Sequence, residues 1–240
     1  FEKMYERNYF GMMMVETGEA DALITGVITK YEDSVKAART VIGARPGVNS
    51  IGAMHIMNTK KGTYFLADTL FNRHPSTETI IDVAKLTYDT VKFFAHEPVM
   101  ALLSYSNFGS DKEGSPASVH KVNQVLQERY PDMVVDGEMQ ANFALNKELR
   151  DRKYPFSRLK GKDVNTLIFP NLSSANMVQQ MMLELGLAET IGPIQMGLNK
   201  PVHILDVESS VRSIVNMTAV AVLDAIVQEK IEKGEVKRIG

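Results

Sequence analysis

The stretch VMALLSYSNFGSDKEGSP, residues 99–116, decides the fold. Its first eight residues form an unbroken apolar run, which is typical of a strand that is buried on both faces. The polar, glycine-containing segment NFGSDKEG follows. Ser115 and Pro116 then predict a helix start, with Ser115 as the N-cap and Pro116 as the first helical residue. A buried strand, a flexible loop and a capped helix together make one repeat of an α/β protein.

The same order recurs along the whole chain. Further strands are predicted at 20–26, 49–57, 63–69, 132–137, 165–171 and 201–205, and helices at 1–18, 32–43, 76–96, 138–152, 173–186 and 207–230. We interpret GPIQMGLNKPV, residues 192–202, as a turn-rich loop. Buried strands that alternate with helices predict an α/β fold with a mainly parallel sheet. Ligands of such folds bind beyond the carboxyl ends of the strands, so the candidate loops are 26–31, 107–114, 170–176 and 205–210.

Composition excludes several functional classes. The net charge of −2 over 240 residues gives no dominant basic surface, so no nucleic-acid partner is expected. The absence of cysteine rules out disulfides, thiolate catalysis and cysteine-ligated metals, and it fits a cytoplasmic location. No apolar run approaches the ~20 residues that cross a bilayer, and no signal peptide is visible, so no membrane partner is expected.

Individual polar residues mostly favour structural roles. The five histidines have no metal-ligand spacing, so no metal site is predicted, and His203 is expected to lie in the core or at the edge of a strand. Asp68 and Asp136 each close an apolar strand, where a carboxylate caps the next turn. Asn171 or Ser173 is predicted to cap a helix. The methionine clusters at 12–14 and 177–182 are interpreted as deformable core or, in a homo-oligomer, as interface.

The most polar corner is HILDVESSVRSIV, residues 203–215. A loop that leads into a helix start is a ready anion site, because the first backbone N–H groups are unpaired and the helix dipole favours negative charge. The closing helix is predicted to bury one apolar stripe, formed by Val211, Ile214, Val215, Val222, Leu223 and Ile226.

Several stretches in order resemble the phosphate acetyl/butyryltransferase family. They are residues 20–48, FLADTLFNRHPSTE with Asp68, Asn72 and Pro75, LLSYSNFGS, VVDGEMQ, LIFPNLSSAN and IGPIQMGLNKPV. The resemblance implies two α/β subdomains with largely parallel sheets and a cleft between them, one inserted in the other. The inserted subdomain would be residues 52–193, and the first subdomain would be 1–51 plus 194–240. The opening βα units of the first subdomain would precede Phe1, which agrees with a chain that starts inside a predicted helix and is expected to be a fragment.

The resemblance also implies a chemistry and a set of site positions. Family members transfer an acyl group between coenzyme A and phosphate. An aspartate deprotonates the thiol, which is mostly neutral at pH 7, and arginines hold the phosphate. The family serine, arginine and aspartate fall here on Asp206, Val207 and Ser213, and a second family arginine falls on Lys36. No catalytic residue is therefore predicted. The candidate ligand-binding residues are Lys36, Arg39, Asn107, Gly109, Ser110, Asn171, Asn176, Gly197, Lys200 and Asp206.

The segment PVHILDVESSVRSIVNMTAVAVLDA, residues 201–225, is most similar to the transferase-like domain at the C-terminus of large bacterial NADP-dependent malic enzymes. That resemblance implies an upstream domain that decarboxylates malate with NADP and Mg²⁺ or Mn²⁺. This transferase-like domain would itself need no cofactor. It would sense acetyl-CoA or a related CoA ester as an allosteric effector, contact the upstream domain and assemble with itself as a homodimer or a higher oligomer.

Three hypotheses remain open at this point. The first is an inactive domain that senses acetyl-CoA and oligomerises. The second is a divergent active transferase, with Asp206 or Glu208 as the base and Lys36 and Arg39 as phosphate ligands. The third is a dimerisation module that binds no ligand.

Overall fold

The computed structural model describes residues 2–207 and 209–235. The chain divides into two compact units, Phe1–Ile51 with Thr190–Gly240, and Gly52–Glu189. The second unit is thus an insertion in the first. The resemblance had placed the two junctions at 51/52 and 193/194. The fold is α/β, with largely parallel strands.

A short 3-10 turn, Glu2–Tyr5, precedes the regular elements. In chain order these are α1 (Arg7–Glu16), β1 (Leu23–Thr25), α2 (Tyr31–Val41), β2 (Gly52–Thr59), β3 (Gly62–Ala67), α3 (Thr77–Phe93), β4 (Val99–Leu103), α4 (Gly114–Arg129), β5 (Val134–Met139), α5 (Ala141–Leu145), α6 (Lys147–Lys153), β6 (Thr166–Ile168), α7 (Leu172–Glu184), β7 (Ala188–Met196), β8 (Val202–Ile204) and α8 (Val211–Glu232).

In the first unit, β1 and β8 are parallel neighbours, with Thr25 opposite Ile204. Helices α1 and α2 pack against each other and against this pair, around a core that includes Met12, Ala38 and Ile204. The outer edge of β8 is closed by a side chain. The Gln195 amide donates to the Ile204 carbonyl at 3.0 Å and accepts from the Ile204 N–H at 2.8 Å.

In the second unit, the strand order is β5-β4-β6-β3-β2. Strands β5, β4, β6 and β3 are parallel, and β2 is antiparallel to β3, because the two are joined by the tight turn at Lys60 and Lys61. The four parallel strands consequently end at one edge of the sheet, and the loops that follow them meet there. The core below this edge is built from residues such as Leu66, Leu103 and Leu167.

Three predicted element boundaries were wrong. Residues 192–196, the first part of the stretch 192–202 that was expected to be turn-rich, belong to strand β7 (Ala188–Met196), because proline is tolerated where a strand residue needs no N–H for the ladder. The helix predicted at 138–152 is split, since β5 continues to Met139 and Asn146 separates α5 from α6. The N-cap of α4 is Glu113 rather than Ser115, and Pro116 sits inside the first turn, where backbone N–H groups have no helical acceptor in any case.

The core stripe predicted for α8 was also wrong. Val211 and Val215 are 78% and 61% exposed, and Met217, Val220 and Ala221 are the buried residues. The other large apolar residues of the helix that are exposed are Val222, Leu223 and Ile226. By length and composition α8 could cross a membrane, contrary to the expectation from sequence, although core helices of soluble proteins pass the same test. The helix is apolar around most of its circumference, and the described residues cover one side of it.

Candidate functional site

The carboxyl ends of β1 and β8 form a corner in the first unit. The two loops that leave these strands are tied together, because the Leu205 N–H donates to the Thr25 carbonyl at 2.7 Å. Gly26 follows Thr25 with φ of +107°, and a Cβ on it would lie 2.1 Å from the Leu205 carbonyl oxygen. Only glycine permits this close approach and this backbone conformation. The corner therefore holds the loops before α2 and α8 side by side.

The three residues that the resemblance places at the family's catalytic positions lie at this corner. The Ser210 side chain caps α8 by accepting from the Ser213 N–H at 3.1 Å, and the two hydroxyl oxygens are 2.9 Å apart. Val207 is 56% exposed and presents an alkyl group at the position where the resemblance implies a guanidinium. The Asp206 carboxylate is exposed and accepts from the Val207 N–H at 2.6 Å. Glu208, the alternative base, lies outside the described residues.

A buried polar cluster that the sequence reasoning missed supports the same corner. Asn8 of α1 donates to Ser34 at 3.0 Å and to Thr29 at 3.3 Å, and it accepts from the Thr25 hydroxyl. The Thr29 and Ser34 hydroxyls are 3.0 Å apart. The signal was present in the sequence, since Asn8 shares its helical stripe with the buried apolar residues Met12 and Val15. The cluster fixes the loop of residues 26–30 from beneath.

The basic candidates of the first unit do not all gather at this corner. Lys36 and Arg39 are exposed and lie three residues apart on α2, hence on one face of the helix. Lys200 lies before β8, where its ammonium is 3.4 Å from Glu232 at the end of α8. About 16–20 Å of extended chain separates it from Asp206. Gly197 is buried at the same distant end, and its carbonyl accepts from Arg45 N–H at 2.9 Å.

In the second unit, three candidates lie on the loop after β4 at the carboxyl edge of the sheet. Glu138 of β5, whose side chain is fully buried, organises this loop. One carboxylate oxygen accepts from the Gly109 N–H at 2.6 Å, and the other is 3.1 Å from His120 Nδ1. The Asn107 N–H donates to Ser110 Oγ at 3.1 Å. The loop is therefore held in one shape, with Asn107 and Gly109 half-buried and Ser110 exposed.

Glu138 also was missed from sequence. Its signal was a carboxylate inside the apolar strand pattern of VVDGEMQ, at a position where only a paired acid is stable. The Asn107 side chain accepts from the Gln140 N–H at 2.9 Å, so the loop after β4 is tied to the chain leaving β5 as well.

The remaining second-unit candidates are structural in part. Asn171 is the N-cap of α7 and accepts from the Ser174 N–H at 3.0 Å, which confirms the capping interpretation. Asn176 is half-buried on α7. Beside Asn171, a cavity of about 10 Å³ that also touches Asp68 has room for one water molecule and for no larger ligand.

Asp68 and Asp136 both cap backbone, as expected. Asp68 accepts from the N–H groups of Ala53 and three residues of the following turn, and from the Asn72 amide. Burial raises the pKa of Asp68, while these hydrogen bonds act in the opposite direction. Asp136 accepts from the Ser157 hydroxyl at 2.7 Å and the Arg158 N–H at 2.8 Å.

Two histidines are buried and serve the core. His55 on β2 is hydrogen-bonded to the Thr69 hydroxyl at 2.8 Å, and burial lowers its pKa to about 4, so the ring is neutral at pH 7. His203 on β8 is 2% exposed, which confirms its placement in the strand. Its Nδ1 accepts from the Gln195 N–H at 3.4 Å, and its Nε2 lies 3.6 Å from the Asp224 carboxylate. Within residues 2–207 and 209–235, no cluster of three metal-ligating side chains occurs.

The comparison with known proteins identifies the family. The family described as "Phosphate acetyl/butaryl transferase" matches residues 1–222. The chain belongs to this family. It is similar to the phosphotransacetylase structure from Streptococcus pyogenes, with a TM-score of 0.86, 33% identity, and 92% of this chain and 67% of that chain covered. It is also 31% identical to the phosphate acetyltransferase of Bacillus subtilis over 93% of this chain and 69% of that protein.

A second group of relatives is longer. The NADP-dependent malic enzyme of Salmonella typhimurium is 41% identical over 90% of this chain, and that of Escherichia coli is 39% identical over 91%. The chain spans only 28% and 29% of the length of these two enzymes. It is thus a phosphotransacetylase-like domain, homologous to the corresponding domain of malic enzymes.

Proposed function

We propose that this phosphotransacetylase-like domain binds acetyl-CoA or a related CoA ester without transferring its acyl group, and that it serves a malic enzyme as a regulatory and oligomerising part. The observation that carries the proposal is which side chains lie at the corner that the carboxyl ends of β1 and β8 form, just before α8. Ser213 lies at the position of the family's catalytic aspartate, and its hydroxyl oxygen is 2.9 Å from that of the N-cap residue Ser210. Val207 lies at the position of a family arginine, and its side chain is an exposed alkyl group.

Acyl transfer to or from phosphate needs two things that this corner does not offer. A thiol with a pKa near 8.5 needs a base to become a nucleophile, and a serine hydroxyl cannot accept its proton at neutral pH. A phosphate dianion needs fixed cations, and the exposed Asp206 carboxylate adds negative charge where the phosphate would lie. The corner supports binding better than it supports reaction.

Binding itself is supported by loops that are already shaped. Gly26 and Leu205 hold the first-unit corner, and Glu138 holds the loop that carries Gly109 and Ser110. A loop that is ordered before the ligand arrives loses less entropy on binding. In the parent enzyme, an effector would act by binding one arrangement of the assembly more tightly than another. The upstream domain would supply the NADP and the Mg²⁺ or Mn²⁺ for malate decarboxylation, in the cytoplasm.

Calorimetry tests the binding claim directly. Titration of the 240-residue chain with acetyl-CoA should give saturable heat and a rise in melting temperature, whereas acetyl phosphate should give neither. No heat and no shift at millimolar acetyl-CoA would refute sensing by this chain. In parallel, a coupled assay for CoA-dependent breakdown of acetyl phosphate should show no turnover above buffer.

The alternative function is an active phosphate acetyltransferase. The likeness to the enzyme named phosphate acetyltransferase in Bacillus subtilis, which spans 93% of the chain, favours it. Asp206 is the described carboxylate at the corner that could act as base, with Lys36 and Arg39 as phosphate ligands. Robust turnover that is lost in Asp206→Asn but kept in the matched acid variant Asp21→Asn would establish this function and overturn the proposal of an inactive domain.

Oligomerisation is supported by exposed apolar helix faces. Val211, Val215, Val222 and Ile226 fall within about 60° of one another around α8, and all are at least 45% exposed. Met177 and Met181 of α7 are 60% and 62% exposed, whereas Met12 of α1 is fully buried and belongs to the core. Light scattering of the chain, and of Val215→Lys, tests whether the α8 face mediates self-association. A monomeric wild-type chain would refute assembly by this domain alone.

A further inference from the structure

The second unit carries a surface on which aromatic and basic side chains are concentrated. Phe156 is 68% exposed, and its ring lies 5.9 Å from the Tyr154 ring and 5.1 Å from the Phe108 ring, centroid to centroid. Exposed basic residues flank this aromatic group within eleven positions of the chain: Arg152, Lys153, Arg158, Lys160 and Lys162. We call the seven aromatic and basic residues between 152 and 162, and Phe108 as the eighth, the basic–aromatic surface.

Two buried side chains hold this segment rigidly. The guanidinium of Arg150, which is fully buried, donates to the carbonyls of Ala144, Leu159 and Lys162 at 3.0, 2.8 and 2.6 Å. The buried Asp136 carboxylate accepts the Ser157 hydroxyl and a backbone N–H. The exposed ring and cations therefore stand on a fixed loop rather than on a flexible one, which lowers the entropy lost when a ligand binds.

The positive charge of this surface is largely uncompensated. Arg158 donates to the Pro131 carbonyl at 2.9 Å, which fixes its position without neutralising it. Within residues 2–207 and 209–235, no ion pair joins Arg152, Lys153, Lys160 or Lys162 to an acid. The whole chain has a net charge of −2, so five exposed cations in one short segment are a local excess. Such a patch attracts phosphate groups.

We propose that the basic–aromatic surface binds the nucleotide end of a CoA ester, with the adenine ring stacked on Phe156 and the phosphates held by Arg158, Lys160 and Lys162. The inference rests on the proposed CoA-ester binding and adds a subsite to it. The aromatic group is continuous with the candidate loop, because Phe108 lies between Asn107 and Gly109 and its ring touches Phe156.

A single nucleotide fits this surface better than a nucleic-acid strand. Proteins that bind single strands use a groove along which several aromatic side chains stack successive bases. Here one strongly exposed ring, Phe156, stands beside a basic segment of eleven residues, whereas Tyr154 is partly covered. One base and a few phosphates match that arrangement.

The test uses the 240-residue chain and three probes: acetyl-CoA, dephospho-CoA, which lacks the 3′-phosphate, and adenosine 3′,5′-bisphosphate. Phe156→Ala should weaken binding of acetyl-CoA and of the bisphosphate about tenfold. Lys160→Glu combined with Lys162→Glu should weaken binding of acetyl-CoA at least as much. The same double variant should weaken binding of dephospho-CoA less, because that probe has no 3′-phosphate for the lysines to hold. Matched controls are Leu185→Ala, which removes an equally exposed apolar side chain of the same unit, and Lys60→Glu with Lys61→Glu at the β2–β3 turn.

The outcomes separate this inference from the proposed function. If the wild-type chain binds acetyl-CoA and all variants bind it equally, the subsite is refuted while CoA-ester binding stands. If the wild type binds none of the three probes, both proposals fail. Tight binding of a 20-nucleotide single-stranded DNA that is lost in the charge-reversal variant, without binding of the bisphosphate, would overturn the subsite in favour of a nucleic-acid surface. Unchanged urea midpoints show that the exposed variants remain folded.

Discussion

Replacing Arg150 with methionine should destabilise the second unit strongly. Arg150 is 0% exposed, and its guanidinium bonds three carbonyls at 3.0 Å or less. A buried carbonyl that loses its partner costs about 1–3 kcal/mol. The Lys162 carbonyl lies in an exposed residue and can recruit water, so the lower part of that range applies. We expect the free energy of unfolding to fall by roughly 3–5 kcal/mol, a large share of the ~5–15 kcal/mol typical of a domain.

The assay is urea denaturation, read by the hydrogen exchange of amides in β4, β5 and β6, so that the transition reports the second unit. Arg152→Met is the matched control, because it removes the same group from an exposed position of the same helix and should cost less than about 0.5 kcal/mol. Arg150→Lys should fall between the two, since the ammonium keeps three N–H donors but carries them on one nitrogen, which cannot match carbonyls arranged around two guanidinium nitrogens. A loss below about 1 kcal/mol for Arg150→Met, equal to that of Arg152→Met, would refute the reasoning.

Three further predictions concern other buried groups. Burial lowers the pKa of His55 to about 4, so as the pH falls the unfolded state takes up the proton before the folded state does. The free energy of unfolding should therefore decrease by up to roughly 3 kcal/mol between pH ~6.5 and pH 4. His55→Asn should reduce this pH dependence in urea denaturation measured over the same range. Gly26→Ala should cost at least about 2 kcal/mol, because its Cβ would collide with Leu205, whereas Gly47→Ala, with positive φ but open space, should cost only about 1 kcal/mol; equal thermal-melt losses would contradict the close-contact argument. Glu138→Gln should speed the hydrogen exchange of the Gly109 amide about tenfold, because the hydrogen bond that this amide donates loses its charged acceptor. Unchanged exchange would show that the charge of Glu138 does not hold the loop in place.

The sequence predicted the second unit well because its strands carry strong local signals. The run at 99–106 contains β4, and the turn at Lys60 and Lys61 joins β2 and β3 as expected. The break at Asn146 was invisible, because residues 138–152 keep a helical composition while Asn146 caps a new helix with its side chain. Strand β7 forms by pairing with a strand that is distant in the chain. Such pairing gives no local sequence pattern, so a stretch that contains proline and glycine was interpreted as a loop.

The candidate sites were harder to predict than the fold. The departures from the family pattern expected at Val207 and Ser213 stay predictions, since they rest on residue identity and on the resemblance. The roles of Asn8 and Glu138 depend on which loops pass over them, and only the folded chain shows that. The face of α8 that is buried could not be predicted either, because apolar residues surround the helix and periodicity alone does not tell which side is covered.

The Gln195 amide completes the backbone hydrogen bonds of Ile204 at the edge of β8, so this pairing depends on the identity of one side chain. Its carbonyl and its NH₂ group replace a neighbouring strand at Ile204, and only the amide side chains present a C=O acceptor and an N–H donor on one planar group, as a peptide unit does. Asparagine is one carbon shorter, and glutamate at neutral pH has no proton to donate. Because Ile204 is fully buried, a point change at this position would leave its N–H and carbonyl without a partner and without water, at about 1–3 kcal/mol for each group. The backbone pairing of β8 at Ile204 is completed here by one side chain rather than by a second strand.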